Sequence, residues 1–246
     1  MASAGLTRPS SAGGRTLDED SNADETSFSA TQKAVDTIMQ GVRVGAFAPG
    51  QHLVESKLTR RLRISRGGLR EAFRQLAAAG VLTIRHHRGA YVDLLDHQGL
   101  VNFLELLEPL IGLAARLAAE RCATDEQRAH MFEVAHRAEQ AARQGDTATH
   151  MEQCRQFYDA LVELADNREL ARVVPLSRTD IMRAQVEHAY TMPQRLRLAA
   201  GYRAIADAVL DQDPTAADEA VTLHFTETRK VVAELPPSAF LCWGSE

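Results

Sequence analysis

SRGGLREAFRQLAAAGVLTIRHHRGAYV, residues 65–92, decides the fold. Ser65 is a helix-capping residue type, because its hydroxyl oxygen can accept from a free N–H of the first turn. From Arg66 to about Ala79, Leu69, Phe73 and Leu76 recur at helical spacing, which gives that helix one buried face. Arg66, Arg70 and Arg74 recur every fourth residue on a different face. After Gly80, Val81-Leu82-Thr83-Ile84 and Ala90-Tyr91-Val92 flank Arg85-His86-His87-Arg88-Gly89, and that pattern predicts a β-hairpin with a basic tip.

Upstream, Val54 to Leu62 reads as a short helix with Leu58 and Leu62 inward, followed by a turn at Arg63-Ile64. Ala48-Pro49-Gly50-Gln51 is a turn. Ala34, Ile38 and Val42, then Phe47, mark a first helix from Thr31 that ends near Gly45. Helix, helix, turn, helix, hairpin is the order of a winged helix-turn-helix, which we place at 29–92. Residues 1–28, rich in Ser, Ala, Gly, Asp and Glu without periodic apolar positions, read as a disordered tail.

Charge divides the chain in the same way. Residues 31–92 hold eleven Lys and Arg against Asp36, Glu55 and Glu71, a balance of +8; with −5 over the whole chain, the rest carries −13. One contiguous basic block attached to an acidic remainder is the electrostatic footprint of a module that neutralises phosphates. A solvated basic face is the competing reading. No apolar run approaches the ~20 residues of a membrane span, and the first residues lack an apolar secretory segment. Three cysteines, Cys122, Cys154 and Cys242, are odd in number and widely spaced, which suits free thiols in a reducing compartment. The expectation is a cytoplasmic protein with no membrane partner.

Beyond the hairpin, 93–99 is expected to be a linker, and 100–236 shows only helical periodicity. Leu100, Phe103, Leu104, Leu107, Ile111, Ala114 and Leu117 form one stripe, interrupted by Pro109, which should bend that helix. Further helices are expected near 124–144, 147–166, 168–190, 193–212 and 214–234, the last opened by Asp213-Pro214 as cap and first residue. Residues 237–246 read as a C-terminal tail. The fold class is mainly α: a winged helix-turn-helix with a small wing, then an all-helical bundle.

The segment from Gly45 to Leu58 (GAFAPGQHLVESKL), followed by Ile64 to Val81, resembles the GntR superfamily of bacterial regulators over nearly all of 31–92. The remainder, including Leu107-Glu108-Pro109-Leu110 and Ala114-x-x-Leu117-Ala118-Ala119-Glu120, is more loosely similar to the FCD ligand-binding domain of one branch of that superfamily. The resemblance implies that Arg66 and Arg70 make the main DNA contacts and that the wing around Gly89 reaches the adjacent minor groove. Physics points the same way, since arginines in the first turn of a helix in the major groove meet guanine O6 and N7. A structural salt bridge is the alternative for each. Arg74, a turn deeper, is a phosphate contact or solvated; Lys57 and Arg60 suit the phosphate backbone. Ser65 and Gly67 join the candidate interface, as do His87, Arg88 and Gly89 in the wing, while His86 and His87 have a solvated alternative. Where relatives place Thr-Pro after Ser-Arg, this chain has Gly67-Gly68, which costs roughly 1 kcal/mol each against Ala. Close approach of a phosphate and simple drift both account for it.

Many domains of that branch hold a divalent metal with an Asp and three His. The corresponding positions here are Cys154, Tyr158, Tyr202 and His224, and a position commonly occupied by an arginine holds Leu104. Two phenols, a thiol and one imidazole are poor ligands for hard or borderline ions, so we expect no metal and no cofactor. A rearranged site drawing on Cys154, His224 and His150 or His188 is the alternative. The expected effector pocket is instead Leu104, Cys154, Phe157, Tyr158, Tyr202 and His224, suited to an aromatic or weakly anionic ligand. A filled, non-binding aromatic core is the bland reading of the same residues. Cys154 with His224 could be imagined as nucleophile and base, but no Gly-rich oxyanion or phosphate loop accompanies them, so catalysis is not expected. A helical interaction scaffold leaves the ordered Ser-Arg-x-x-x-Arg helix and basic wing unexplained. The expected function is a repressor that binds a two-fold DNA operator as a homodimer and responds to a small effector, with coupling through 93–99 and the first sensor helix.

Overall fold

The computed structural model describes residues 17–240, with side chains described from residue 30 onward. The N-terminal unit contains α1 (Leu17–Arg43), β1 (His52–Leu53), α2 (Glu55–Leu62), α3 (Arg66–Ala78), β2 (Leu82–Arg85) and β3 (Gly89–Val92). The strands pair antiparallel in the order β1-β3-β2, with Leu53 opposite Ala90 and Ile84 opposite Ala90 on its other side. The sequence predicts a two-stranded hairpin; two residues at 52–53 are too few to show an alternation, yet they pair with β3. Ile38, Val42, Leu53, Leu69, Phe73 and Leu76 close the core of this unit.

Local chemistry sets the ends of α3. Ser65 accepts from Gly68 N at 3.1 Å, satisfying one of the N–H groups that a helix start leaves free. At the other end Gly80 takes a positive φ of 68°, and Val81 N donates back to Leu76 O at 2.8 Å, so the chain reverses into β2. The wing turn uses His87 and Gly89 at φ 59° and 85°.

The second unit contains α4 (His97–Arg121), α5 (Asp125–Gln144), α6 (Thr147–Leu164), α7 (Arg168–Val173), α8 (Leu176–Val186), α9 (Met192–Leu210) and α10 (Pro214–Ala233), with 3-10 turns at Glu187–Ala189 and Pro237–Phe240. Thr124 and Thr191 open α5 and α9 with capping boxes to Gln127 and Gln194, and Asp213 caps α10 ahead of Pro214. Helix α4 is continuous through Pro109.

Several expected boundaries differ. Of the tail expected over 1–28, residues 1–16 lie outside the described residues, but 17–28 belong to α1. No Gly or Pro interrupts the run from Leu17 to Gln40, so nothing in that stretch breaks the helix. The helix expected over 168–190 is divided, because Pro175 has no N–H and holds Val174 in extended backbone. The linker is shorter than 93–99: Asp96 caps α4 by accepting from Gly99 N at 2.7 Å. Of the expected tail at 237–246, residues 237–240 pack: Ala239 is buried, its carbonyl accepts from Gln185 Nε2 at 3.2 Å, and the Phe240 ring lies against His97.

Candidate functional site

The basic face of the N-terminal unit is built on the first turns of α3. The cap at Ser65 fixes where the helix starts, which makes Arg66 its first residue and puts Arg70 one turn on, both exposed. Among the described residues Arg66 has no carboxylate partner. Arg70 lies 3.4 Å from Glu55 on α2, and Arg74 lies 2.9 Å from Glu71; the two arginine side chains keep about two thirds of their exposure, at 66% and 68%. Exposed pairs of this kind contribute about 0–1 kcal/mol, too little to keep either arginine from a phosphate or a base edge. Lys57 and Arg60 on α2 and His87 and Arg88 in the wing are also accessible.

The two glycines of α3 differ. A Cβ at Gly68 would come within 3.0 Å of the Ile64 side chain, whereas one at Gly67 would meet nothing closer than Ser65 Oγ at 3.9 Å. Gly68 therefore has a packing reason and Gly67, on the exposed first turn, has none within the protein. At Gly89 the positive φ excludes most side chains, and a Cβ would also sit 2.8 Å from His52 Nε2.

In the helical unit, Leu104, Cys154, Tyr158, Tyr202 and His224 line one cavity of about 30 Å³ between α4, α6, α8, α9 and α10. Phe157, expected in the lining, is fully buried one layer behind, its ring 5.0 Å from that of Tyr202. One residue along a helix is a rotation of roughly 100°, so the turn of α6 that points Tyr158 into the cavity aims Phe157 at the core instead.

The cavity holds groups that periodicity does not single out. Arg183 on α8 is buried and donates to Tyr202 Oη at 3.1 Å, with its guanidinium 4.9 Å from the centre of the Tyr158 ring. No carboxylate pairs with it among the described residues. Beside it, His150 Nδ1 meets Glu187 Oε1 at 2.6 Å and His150 Nε2 meets Cys154 Sγ at 3.4 Å. Glu187 also faces Arg195 Nε at 3.0 Å, an ion pair without good hydrogen-bond alignment. Burial pushes the His150 pKa down, but its contacts with Cys154 and Glu187 outweigh that and lift it to about 9. His224 goes the other way: burial, then the Arg183 charge, lower it to about 3, so it is a neutral imidazole, with Nε2 3.4 Å from Tyr158 Oη. Burial raises Tyr158 to about 12 and keeps the phenol protonated. His150 and Cys154 are separable in the sequence as an i, i+4 pair, as are Arg183 and Glu187; nothing in the sequence says that the two pairs face each other.

These residues do not fit a divalent metal. The four positions that would supply ligands offer a thiol, two protonated phenols and an imidazole, and a guanidinium with no carboxylate partner among the described residues stands in the same wall.

The two units meet through α8. Asp180, with a side chain only 4% exposed, accepts from Arg43 Nε of α1 at 2.8 Å and from Arg155 Nη1 of α6 at 3.3 Å. Ile181 is fully buried in the core of the DNA-binding unit. Gln185 clamps the linker, accepting from Leu95 N at 3.0 Å and donating to Leu95 O at 2.6 Å. Thr179, Met182 and Arg183, on the opposite side of the same helix, line the cavity. The sequence points to coupling through the linker and α4; α8 joins the linker, the cavity and the DNA-binding core directly, which periodicity does not show for a helix buried on every side.

The gntR family of bacterial regulatory proteins matches residues 30–92, and the FCD domain family matches 100–227. The chain is 30% identical over 207 residues to a protein of Paenarthrobacter nicotinovorans described as a "Probable D-xylose utilization operon transcriptional repressor", covering 83% of this chain and 86% of that one. It is 28% identical to the galactonate operon transcriptional repressor of Escherichia coli K12, over 82% of this chain and 96% of the relative. Among solved structures, E. coli McbR/YncC shares the fold with a TM-score of 0.73 at 18% identity, over 83% of this chain and 97% of its own. This chain belongs to the gntR family of bacterial regulatory proteins, carries an FCD domain, and is a DNA-binding transcription regulator.

Proposed function

We propose that this regulator is a cytoplasmic repressor that binds a two-fold related operator as a homodimer and leaves it when a small effector enters the helical domain. Arg66 and Arg70 read base edges in the major groove, Arg74, Lys57 and Arg60 contact phosphates, and the His87-Arg88-Gly89 tip reaches the neighbouring minor groove. Support comes from their exposure on α2, on α3 and on the wing, and from the +8 balance of this segment. Relatives named as operon repressors support the sign of regulation.

The observation that carries the effector half is α8, which presents Arg183 to the cavity on one side and Ile181 to the DNA-binding core on the other. A ligand shifts an equilibrium only by its different affinity for two arrangements. Pockets for drug-sized ligands measure roughly 300–1,000 Å³, far above the 30 Å³ present. An effector larger than a water or two therefore binds only an opened cavity, and opening it moves α8. The Arg183 guanidinium, without a carboxylate partner among the described residues, and the aromatic walls favour an aromatic, weakly anionic ligand without a metal. Substrate turnover has no part in this reading: Cys154 and His224, the pair considered as nucleophile and base, have other partners, Cys154 facing His150 and His224 facing Tyr158.

Selection of bound genomic fragments by the purified protein, repeated with Arg66→Ala and Arg70→Ala, tests the DNA half. A short palindrome lost in both variants is the expected result; no enrichment with the unaltered protein refutes the reading. Calorimetry tests the other half, and tight binding of zinc or citrate with no affinity for aromatic acids overturns it.

A further inference from the structure

A buried cysteine in an apolar core behaves as a small hydrophobe. Cys122 is of that kind: burial pushes its thiol pKa up, and no imidazole contacts it among the described residues. Cys154 differs. Its Sγ faces His150 Nε2 at 3.4 Å, and the other ring nitrogen of His150 is fixed by Glu187 at 2.6 Å. Glu187 in turn is held against Arg195. This is the connectivity of an activated nucleophile, in which a thiol meets a base whose orientation is set by a third group. Burying a carboxylate and an imidazole is costly, and an apolar pair of similar volume would serve the core as well or better. Nothing in the binding of DNA or of an aromatic effector uses the three together.

We propose that Cys154 is a peroxide-reactive thiol activated by His150, and that Glu187 is its positioning residue. The cavity selects the oxidant. It touches Cys154, His150 and Arg183, and its volume of about 30 Å³ accommodates one or two water-sized molecules. Hydrogen peroxide fits the cavity as it stands; quinones and longer electrophiles would have to open it first.

In the reaction His150 Nε2 takes the thiol proton as Cys154 Sγ attacks one oxygen of HOOH. The S–O bond forms as the O–O bond breaks, and the departing hydroxide takes the imidazolium proton and leaves as water. Cys154 is oxidised by two electrons to the sulfenic acid and the peroxide is reduced to water. Arg183, directed at the same space by its bond to Tyr202 Oη, stabilises the departing negative charge. The added oxygen is a new polar neighbour for Arg183 of α8, which lines the same cavity, so oxidation weakens operator binding; this consequence rests on the proposed coupling through α8, whereas the thiol chemistry does not.

The test uses the full chain exposed to one equivalent of hydrogen peroxide in the presence of dimedone, with adducts located by peptide mass spectrometry. The expected result is an adduct at Cys154 forming at least roughly tenfold faster than at Cys122, because Cys154 alone of the two meets an imidazole and lines the cavity that admits the oxidant. His150→Gln should slow it on the order of a hundredfold, the low end for loss of a positioned base. Faster labelling of Cys122, or an unchanged rate in His150→Gln, overturns the proposal. If circular dichroism shows His150→Gln unfolded, Glu187→Gln decides, and an unchanged rate there overturns it equally. Gel shifts on the oxidised protein separate the two readings. Labelled Cys154 with unaltered operator affinity overturns the coupling and leaves the thiol assignment standing, while failure of both forms to select any DNA refutes the regulator reading alone.

Discussion

Replacing Ile181 by Ala tests whether α8 is the mechanical link between the two units. Ile181 is fully buried, and it belongs by chain to the sensor bundle but by packing to the core formed by Ile38, Val42, Leu69 and Phe73. The substitution removes three carbon atoms from that core. At about 0.8 kcal/mol for each buried methylene the transfer loss is about 2.4 kcal/mol, and a residual cavity brings the total to about 3 kcal/mol. Because the contact lies between units, the loss falls on their docking, and about 3 kcal/mol corresponds to roughly a hundredfold rise in undocked molecules. Urea unfolding followed by far-ultraviolet circular dichroism, with amide exchange resolved by segment, is the assay. The unaltered chain should unfold in one transition; the variant should show faster exchange in α3 and β3 while α4 and α10 keep their protection. A destabilisation under about 1 kcal/mol, or equal loss of protection in both units, would refute the assignment of α8 as the joint.

A second contrast pairs two helical glycines. A Cβ at Gly201 would stand 2.2 Å from His224 Nδ1, so Gly201→Ala should lower the melting temperature by the equivalent of about 1–3 kcal/mol, as overpacking does. Gly67→Ala, with open space around it, should instead raise stability by up to about 1 kcal/mol while weakening operator binding if a phosphate approaches that backbone. The buried histidines predict a stability maximum near pH 6.5, their ordinary value. His150 binds its proton more tightly folded than unfolded, so its contribution is complete below pH 6.5 and is lost as pH rises toward 9. His224 resists protonation when folded, so stability also falls as pH drops from 6.5 toward 3. His150→Gln should remove the alkaline limb of a denaturation series and leave the acidic one. Arg74→Ala should weaken operator binding uniformly across sequences and reduce the salt slope by about one charge; an altered base preference would contradict a phosphate role.

Several features are legible in the residues alone. The Ser65 cap, the apolar spacing of Leu69, Phe73 and Leu76 and the basic tip of the wing are local properties, expressed within a few residues, and α3 and the hairpin follow from them. Periodicity likewise locates α5, α6, α9 and α10 to within a few residues, and the residues replacing a familiar ligand set can be named one by one. Less is legible where the decisive partner lies far away along the chain. The two-residue β1 has no period of its own; it exists because β3 offers an unpaired edge.

The order of the elements, the division into a basic and an acidic unit, and the arginines on the outer face of α3 thus follow from residue order, since each is set by neighbours within a turn or two. Contacts between distant segments settle everything else. Glu187 meets His150 across 37 residues and Asp180 meets Arg43 across 137, and no pattern within one helix contains either distance. Helix α8 illustrates the reason. It is enclosed by both units, so polar and apolar side chains alike are buried around its circumference, and amphipathic periodicity, which records only a boundary between core and water, has nothing to report there.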